Sequence, residues 1–265
     1  MEEERLSDAL GTVELQHLPD PQPDHPLRLG PAATPLTERL WRIALDDVEH
    51  NIVQTDSGDR YFGAGTNFGA HLFVRDICYS GVLGLNAVYP DVMLSSLRLS
   101  RQVRRETGFA VARGNRIGDI PVDWQELDIG WREFGRTHKA GSLTGSTDDV
   151  VWLWCASDLF RRNPDLADWE WLYREGEYCF EQFYVPWFDP SEGLYRGQAS
   201  FIDVHFPDHK TTGYPMDWDV ADCVLLKATS TNCLYHRGLE VMAGTATRLG
   251  REEEAQQWHG RASDL

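Results

Sequence analysis

Arg75 and Asp76 stand together at the start of a predicted helix, within the stretch Phe73-Val74-Arg75-Asp76-Ile77. Arginine offers a forked pair of donors and aspartate offers acceptor oxygens, a combination that suits two neighbouring hydroxyl groups of a sugar. Asp is common in the first turn of a helix, but the helix dipole does not favour Arg there. A ligand contact therefore explains the pair better than a local ion pair does.

A second acid, Asp203, lies in a loop more than a hundred residues further along the chain. Phe201 and Phe206 flank it, and apolar surroundings raise the pKa of a carboxyl group because they disfavour its charged form. A carboxylic acid that stays protonated can give its proton to a leaving group. The simpler interpretation is an aspartate that caps a turn. Taken with Arg75 and Asp76, Asp203 indicates carbohydrate chemistry.

Tryptophans in the predicted loops add flat apolar surfaces on which sugar rings can stack. We select Trp124 and Trp187 as candidate sugar contacts; Trp131 and Trp218 are further loop tryptophans. Those in predicted helices are expected in the core: Trp152, Trp154, Trp169 and Trp171.

The charge and apolar patterning exclude several classes of partner. The chain carries 42 acids against 25 Lys and Arg, a formal net charge of −17 at pH 7. Nucleic acid is bound through a basic face, so we expect no nucleic-acid partner. The N-terminus has no signal-peptide pattern and no apolar run reaches the length of a membrane span. We therefore expect no membrane contact and a cytoplasmic location.

The five cysteines and nine histidines show no spacing typical of a metal site. We expect neither a metal nor another cofactor. Four of the cysteines fall in predicted helices beside apolar residues and are predicted to be small buried side chains: Cys78, Cys155, Cys179 and Cys233.

Apolar residues at helical spacing cover most of the chain after a Pro-rich acidic arm over residues 1–34. Thr34 and Pro35 give a helix start, and the run from Ser146 to Asp149 gives another, with a capping hydroxyl before first-turn acids. Residues 35–265 are expected to form one domain. Within it we predict helices over about residues 35–52, 74–89, 91–108, 147–164, 169–184, 225–249 and 252–265.

Long helices with little convincing strand predict an all-α fold built from helical hairpins. Between the helices lie two long segments, residues 108–145 and 186–223, which we expect to be irregular loops. Function is expected where such loops meet the ends of helices.

Four segments together resemble the six-hairpin (α/α)6-barrel glycosidases, most closely the amylo-1,6-glucosidase (glycogen debranching) and glucoamylase-like groups. The Arg75-Asp76 segment is similar to their Gly-Arg-Asp-Thr/Ser element, although Val74 replaces the Gly. Ser200-Phe201-Ile202-Asp203 is similar to Thr-Trp-Met-Asp. The other two segments run from Ser146 to Trp152 and from Lys227 to Asn232, the latter with Ser230 in place of a family Glu.

The resemblance implies a fold and a set of roles. It covers about residues 37–265, the first seven or so of the twelve helices of an α/α toroid, so we expect an incomplete ring. Arg75 and Asp76 would hold sugar hydroxyls, and Asp203 would be the general acid. Further substrate contacts are implied for Asp148, Lys227 and Asn232.

The implied reaction is inverting hydrolysis of a glycosidic bond in an oligo- or polysaccharide, without a cofactor. In this family the general base lies late, so we expect it in a C-terminal part, and we expect a completing half or a homodimer as the protein partner. Otherwise the base would come from one of four loop acids, among which the sequence does not choose: Glu126, Asp128, Asp217 and Asp219.

Two other functions stay open. One is another (α/α)6 carbohydrate enzyme, an unsaturated glucuronyl hydrolase or a sugar epimerase; the acidic loops fit an anionic substrate poorly, and we find no convincing histidine pair. The other is a catalytically silent sugar-binding or interaction module, which would bind a sugar without hydrolysing it.

Overall fold

The computed structural model describes residues 4–8, 11–15, 29–65, 69–107, 116–117, 120–121, 131–134, 138–141, 147–197, 199–200, 215, 218 and 225–265. The chain forms two compact units, Met1–Val53 and Gln54–Leu265. Helices dominate, as the sequence predicts. The first helix lies in the same compact unit as the N-terminal strands. The sequence pattern predicts instead that this helix belongs to one domain with the helices that follow.

The N-terminal unit contains a strand pair and one helix. Strands β1 (Glu4–Asp8) and β2 (Gly11–Leu15) pair antiparallel, and helix α1 spans Pro35–His50. The Thr37 N–H donates to Thr34 Oγ1 over 3.3 Å, and the Thr34 N–H donates to Thr37 Oγ1 over 2.8 Å. This reciprocal cap, followed by proline at the first helical position, confirms the predicted helix start.

The second unit holds the other helices, each close to a predicted one. They are α2 (Val74–Ser80), α3 (Pro90–Thr107), α4 (Asp148–Arg162), α5 (Trp169–Tyr178), α6 (Thr229–Arg248) and α7 (Glu252–Asp264). Helices α2 and α5 continue into wider π turns, Gly81–Leu85 and Cys179–Phe183. Pro90 is the first residue of α3. Proline suits this position because the backbone N–H that it lacks would have no partner within the helix.

Short strands lie between the helices. They are β3 (Ile52–Gln54), β4 (Arg60–Phe62), β5 (His71–Phe73), β6 (Arg116–Ile117), β7 (Ile120–Pro121), β8 (Trp131–Phe134), β9 (His138–Gly141), β10 (Phe188–Asp189) and β11 (Leu194–Tyr195). Strand β5 pairs parallel with β9, which pairs antiparallel with β8. The segment predicted to be irregular therefore supplies strands, and its sheet fixes the start of α2.

Helix α4 is the centre of the core of the second unit. Trp152, Leu153 and Cys155 have no exposed surface, and the helix packs against α2, α3, α5 and α6. Two glycines permit close approach: a β-carbon at Gly238 would lie 3.0 Å from Val150 Cγ1, and one at Gly81 would lie 2.5 Å from Cys155 Sγ. Helix α6 therefore packs closely against α4 at Gly238.

The described cysteines are free thiols that differ in exposure. Cys78, Cys155 and Cys179 are buried as predicted, and burial raises the pKa of the Cys78 thiol. The prediction is wrong for Cys233, which is exposed. It follows the buried Thr231 by two residues, about 200° around the helix, and so lies on the outer face of α6.

Cys233 is expected to react quickly with a thiol reagent such as DTNB in the folded protein, because its exposed sulfur is accessible to the reagent and the buried sulfurs are not. The number of fast-reacting thiols should fall by one per chain in Cys233→Ser relative to the wild type. Equal counts in the two proteins would contradict the exposure of this side chain.

Candidate functional site

Helix α2 carries Arg75 and Asp76 in its first turn, immediately after strand β5. Arg75 is half-buried and Asp76 is exposed. The residue before the helix, Phe73, supplies no side-chain cap. Asp76 therefore lies at a helix start where the dipole favours a carboxylate, and its oxygens are open to solvent.

Three hydroxyl groups from distant parts of the chain meet one helical turn along α2 from Arg75. The Ser200 hydroxyl lies 2.7 Å from the Tyr79 hydroxyl and 2.8 Å from the Thr147 hydroxyl, both ordinary O–H···O distances. Ser200 and Thr147 have no exposed surface. We call Tyr79, Thr147 and Ser200 the hydroxyl cluster. It joins α2, the start of α4 and the segment that leads to Asp203.

Charged side chains act on this cluster from two helices. Burial raises the pKa of Tyr79, the hydrogen bond with Ser200 and the charge of Arg75 lower it, and the charge of Asp148 raises it further. The charges of Arg75 and Asp148 therefore act on the pKa of Tyr79 in opposite directions. The contacts of the cluster join Tyr79, four residues after Arg75, to Ser200, and Ser200 to Thr147, the residue before Asp148.

Thr147 precedes α4 but does not cap it. Its backbone, at φ −90° and ψ 14°, differs from the extended conformation usual at this position, and its hydroxyl contacts Ser200. The predicted capping role of a hydroxyl is therefore wrong for Thr147, and Ser146 lies outside the described residues.

Two buried acids open α4 and face different surroundings. Asp149, 1% exposed, forms an ion pair inside the core with Arg101 of α3, whose guanidinium lies 4.5 Å from the centre of the Trp152 ring. Asp148, 6% exposed, acts instead on the hydroxyl cluster. The role of Arg101 is not predictable from local sequence, because its partner Asp149 is 48 residues away and nothing in its own helix marks it as buried.

Lys227 lies in an ion cluster just before α6. Its ammonium is 2.6 Å from Asp189 Oδ2 and 2.8 Å from Glu192 Oε2. Arg196 contacts the same Asp189 oxygen at 2.9 Å, and the Ser191 hydroxyl donates to Asp189 Oδ1 over 2.6 Å. Lys227 therefore ties the turn after β10 to the start of α6, and its contact with a sugar stays a prediction.

The Asp189 carboxylate is expected to make the fold acid-sensitive. Hydrogen bonds from Lys227, Ser191 and Arg196 hold the pKa of Asp189 well below its usual range. A carboxyl with a lowered pKa in the folded state adds stability above its unfolded pKa of about 3.9 and loses it as the pH falls further. In urea unfolding from about pH 6 to pH 2, the free energies of unfolding of wild type and Asp189→Asn should therefore converge. A constant difference between them would contradict this role.

Asn232 binds the backbone of strand β11. Its Oδ1 accepts the Tyr195 N–H over 2.8 Å, and its Nδ2 donates to the carbonyls of Tyr195 and Ala228 over 3.0 and 3.1 Å. These bonds use both amide protons and one lone pair of the oxygen. Asn232 thus fastens β11 to the first turn of α6, and its predicted sugar contact is not tested by this geometry.

Replacing Asn232 by Leu is expected to lower the free energy of unfolding by about 2–4 kcal/mol, because two backbone groups of Tyr195 lose their partner in a buried place. The matched control is Asn51→Leu, whose amide bonds Asp47 at an exposed helix end and whose loss should cost about 0.5 kcal/mol or less. Denaturant titrations of both variants give the difference, and similar losses would contradict the role of Asn232.

Of the remaining predicted residues, the structure describes only Trp187. Trp187 is 2% exposed, so its ring offers little surface to a ligand and we do not include it among the proposed sugar contacts. Trp124 and Asp203 lie outside the described residues, as do the four candidate bases, Glu126, Asp128, Asp217 and Asp219.

Two further observations concern metals and membranes. Among the residues that the structure describes, no group of three or more His, Cys, Asp and Glu side chains could hold a metal ion. In the same part of the chain, no helix combines the length and the apolar character needed to span a bilayer.

Comparison with protein families, with curated proteins and with solved structures finds no match for this chain. Its function is therefore inferred from the hydroxyl cluster and the charged residues around it.

Proposed function

We propose that this protein is a glycoside hydrolase acting on an oligo- or polysaccharide, with Asp203 as its general acid. The observation that carries the proposal is the hydroxyl cluster. It holds Ser200, three residues before Asp203, beside Asp148 and one helical turn from Arg75. Three residues of chain span at most about 11 Å, so an acid at position 203 can reach a sugar bound at Arg75 and Asp76.

Each residue has its own part in this reaction. Arg75 donates to one hydroxyl of the terminal sugar and Asp76 accepts from its neighbour. Asp148, nearly buried in the first turn of α4, orients a further hydroxyl. Asp203 gives its proton to the glycosidic oxygen while water attacks the opposite face of the sugar, so the product has the inverted configuration. No residue is assigned as the general base.

We propose further that the helices form part of an α/α toroid. Helices α4 and α5 are consecutive and pack against each other, and so are α6 and α7. Such helical hairpins are the repeating unit of the (α/α)6 toroid that the sequence motifs resemble. Within the hydroxyl cluster, Thr147 precedes the first residue of α4, and a toroid would gather its loops at such helix ends.

A panel of aryl glycosides and short glucans tests the proposed activity. We expect release of the aryl group and, by NMR, a first product of inverted anomeric configuration. Binding of a sugar without hydrolysis would support a silent binding module in place of an enzyme. Neither binding nor hydrolysis across the panel would overturn the proposal.

Comparing Arg75→Met with a control substitution tests whether Arg75 contacts the sugar or whether any lost positive charge weakens binding. Removal of a charge-assisted hydrogen bond costs about 1.5–3 kcal/mol, so KM for the best substrate should rise roughly tenfold or more. The control is Arg237→Met on α6, which removes an arginine that pairs with Glu240 at 3.2 Å on the surface. An equal KM in both variants would remove Arg75 from the proposed site.

A further inference from the structure

Two buried thiols, Cys78 of α2 and Cys155 of α4, meet in the core of the second unit. Both are free thiols, with exposures of 1% and 0%. Burial raises the pKa of the Cys78 thiol, and a hydrogen bond between the two thiols raises it further. We call Cys78 and Cys155 the thiol pair.

The packing of Gly81 locates the Cys155 sulfur independently. The Gly81 N–H donates to the carbonyls of Ile77 and Cys78, so Gly81 lies one helical turn after them. A β-carbon at Gly81 would lie 2.5 Å from Cys155 Sγ, much closer than an ordinary contact. The Cys155 sulfur therefore lies against the turn of the chain that leads from Cys78 to Gly81.

Asn86, which follows the π turn after α2, fixes Cys155 from the other side. Its Nδ2 donates to the Cys155 carbonyl over 3.1 Å and to Asp158 Oδ2 over 3.0 Å, and its Oδ1 accepts from the Cys155 thiol over 3.6 Å. A thiol has one proton to donate. Because Cys155 donates its proton to Asn86, the hydrogen bond within the thiol pair runs from the Cys78 S–H to the Cys155 sulfur.

We propose that the thiol pair is a redox site, which closes into a disulfide and locks α2 to α4. The oxidant is a small peroxide such as hydrogen peroxide, which accepts two electrons. One sulfur attacks a peroxide oxygen, so an S–O bond forms, the O–O bond breaks, and the thiol proton leaves in a first water molecule. The second sulfur then displaces the oxygen, so the S–S bond forms, the S–O bond breaks, and the second thiol proton leaves in another water molecule.

Burial decides how this site responds to an oxidant. The thiolate is the reactive form of cysteine, and burial holds the thiol pair protonated and away from solvent, so it reacts more slowly than the exposed Cys233. The same burial shields the disulfide from reductants once it has formed. The lock ties α2, which carries Arg75, to α4, which opens with Asp148. It does not depend on the proposed glycosidase activity.

Peptide mapping of the oxidised protein tests the disulfide. The folded variant Cys233→Ser, which cannot cross-link through its outer face, is treated with hydrogen peroxide, alkylated in denaturant and digested with trypsin without reductant. Trypsin places Cys78 in residues 76–98, Cys155 in residues 140–161 and Cys179 in residues 175–196. We expect residues 76–98 linked to residues 140–161, two hydrogens lighter than the separate peptides, and release of both by dithiothreitol.

Matched variants define the outcome of this mapping. Adding Cys155→Ala should abolish the linked peptide, whereas adding Cys179→Ala, which removes another buried thiol, should leave it intact. A disulfide from Cys78 to any other cysteine would overturn the proposal. So would oxidation of either sulfur to sulfinic or sulfonic acid without a link.

Thermal unfolding of the linked protein tests the lock. The two cysteines are far apart in sequence, and a disulfide that closes a long loop of chain should raise Tm by about 5–15 °C relative to the reduced protein. Cys155→Ala should show no such rise after the same treatment, which controls for oxidation of other residues. An unchanged or lower Tm in the linked protein would overturn the lock.

Discussion

Replacing Asp203 with Asn is expected to lower kcat on an unactivated glycoside by about 10²–10⁴-fold, the usual contribution of a general acid. Sugar binding should change little, because Asn keeps the size and most hydrogen bonds of the side chain. Steady-state kinetics together with calorimetric binding of a short glucan measures both quantities.

The leaving group makes this test specific for proton donation. Dinitrophenolate is a stable anion and leaves the sugar without being protonated. The variant Asp203→Asn should therefore lose far less activity on a dinitrophenyl glycoside than on an alkyl glycoside. Asp208→Asn, a change of the same kind five residues on, is the control and should behave like the wild type on both substrates. Equal losses on the two leaving groups would show that Asp203 does not act as the acid.

Breaking the Arg101–Asp149 pair is expected to give the largest loss of stability. Both side chains are almost fully buried, at 3% and 1% exposure. Arg101→Met leaves the Asp149 carboxylate without its partner in the core, which typically costs about 3–5 kcal/mol of the free energy of unfolding. Guanidinium unfolding followed by circular dichroism measures the loss.

Two controls distinguish a buried charge from a lost contact. Glu240→Gln breaks the surface pair with Arg237 and should cost about 0.5 kcal/mol or less. The double variant Arg101→Met/Asp149→Leu removes both charges and should recover much of the stability lost in Arg101→Met. A loss below about 1 kcal/mol in Arg101→Met would mean that the pair is not desolvated as the structure shows.

The helices are predictable because each carries its own signals. Thr34 and the proline after it mark the start of α1, and apolar residues at helical spacing mark the lengths of the others. The π turns are not predictable in this way. The turn at Gly81–Leu85 follows the close passage of Gly81 past Cys155, a contact between residues far apart in sequence.

The candidate site is predictable in part, because some of its residues stand in local sequence motifs. Arg75, Asp148 and the Ser200 segment each stand in a recognisable local motif, and Ser200 contacts the residue before Asp148. What a side chain does there depends on partners that no local pattern shows. Lys227 contacts Asp189, and Asn232 contacts the Tyr195 backbone.

Two of the close-packed glycines, Gly81 and Gly238, bear on how distant homologues of this chain can be recognised. Any larger residue at either position would press on Cys155 or Val150 of the central helix. A homologue that keeps this helix in place therefore needs other atoms to shift if it replaces glycine at position 81, and it has little room for a larger residue at position 238. A search pattern that joins an Arg-Asp pair to the first glycine, and a later Lys-Asn segment to the second, should find such homologues where overall similarity has faded.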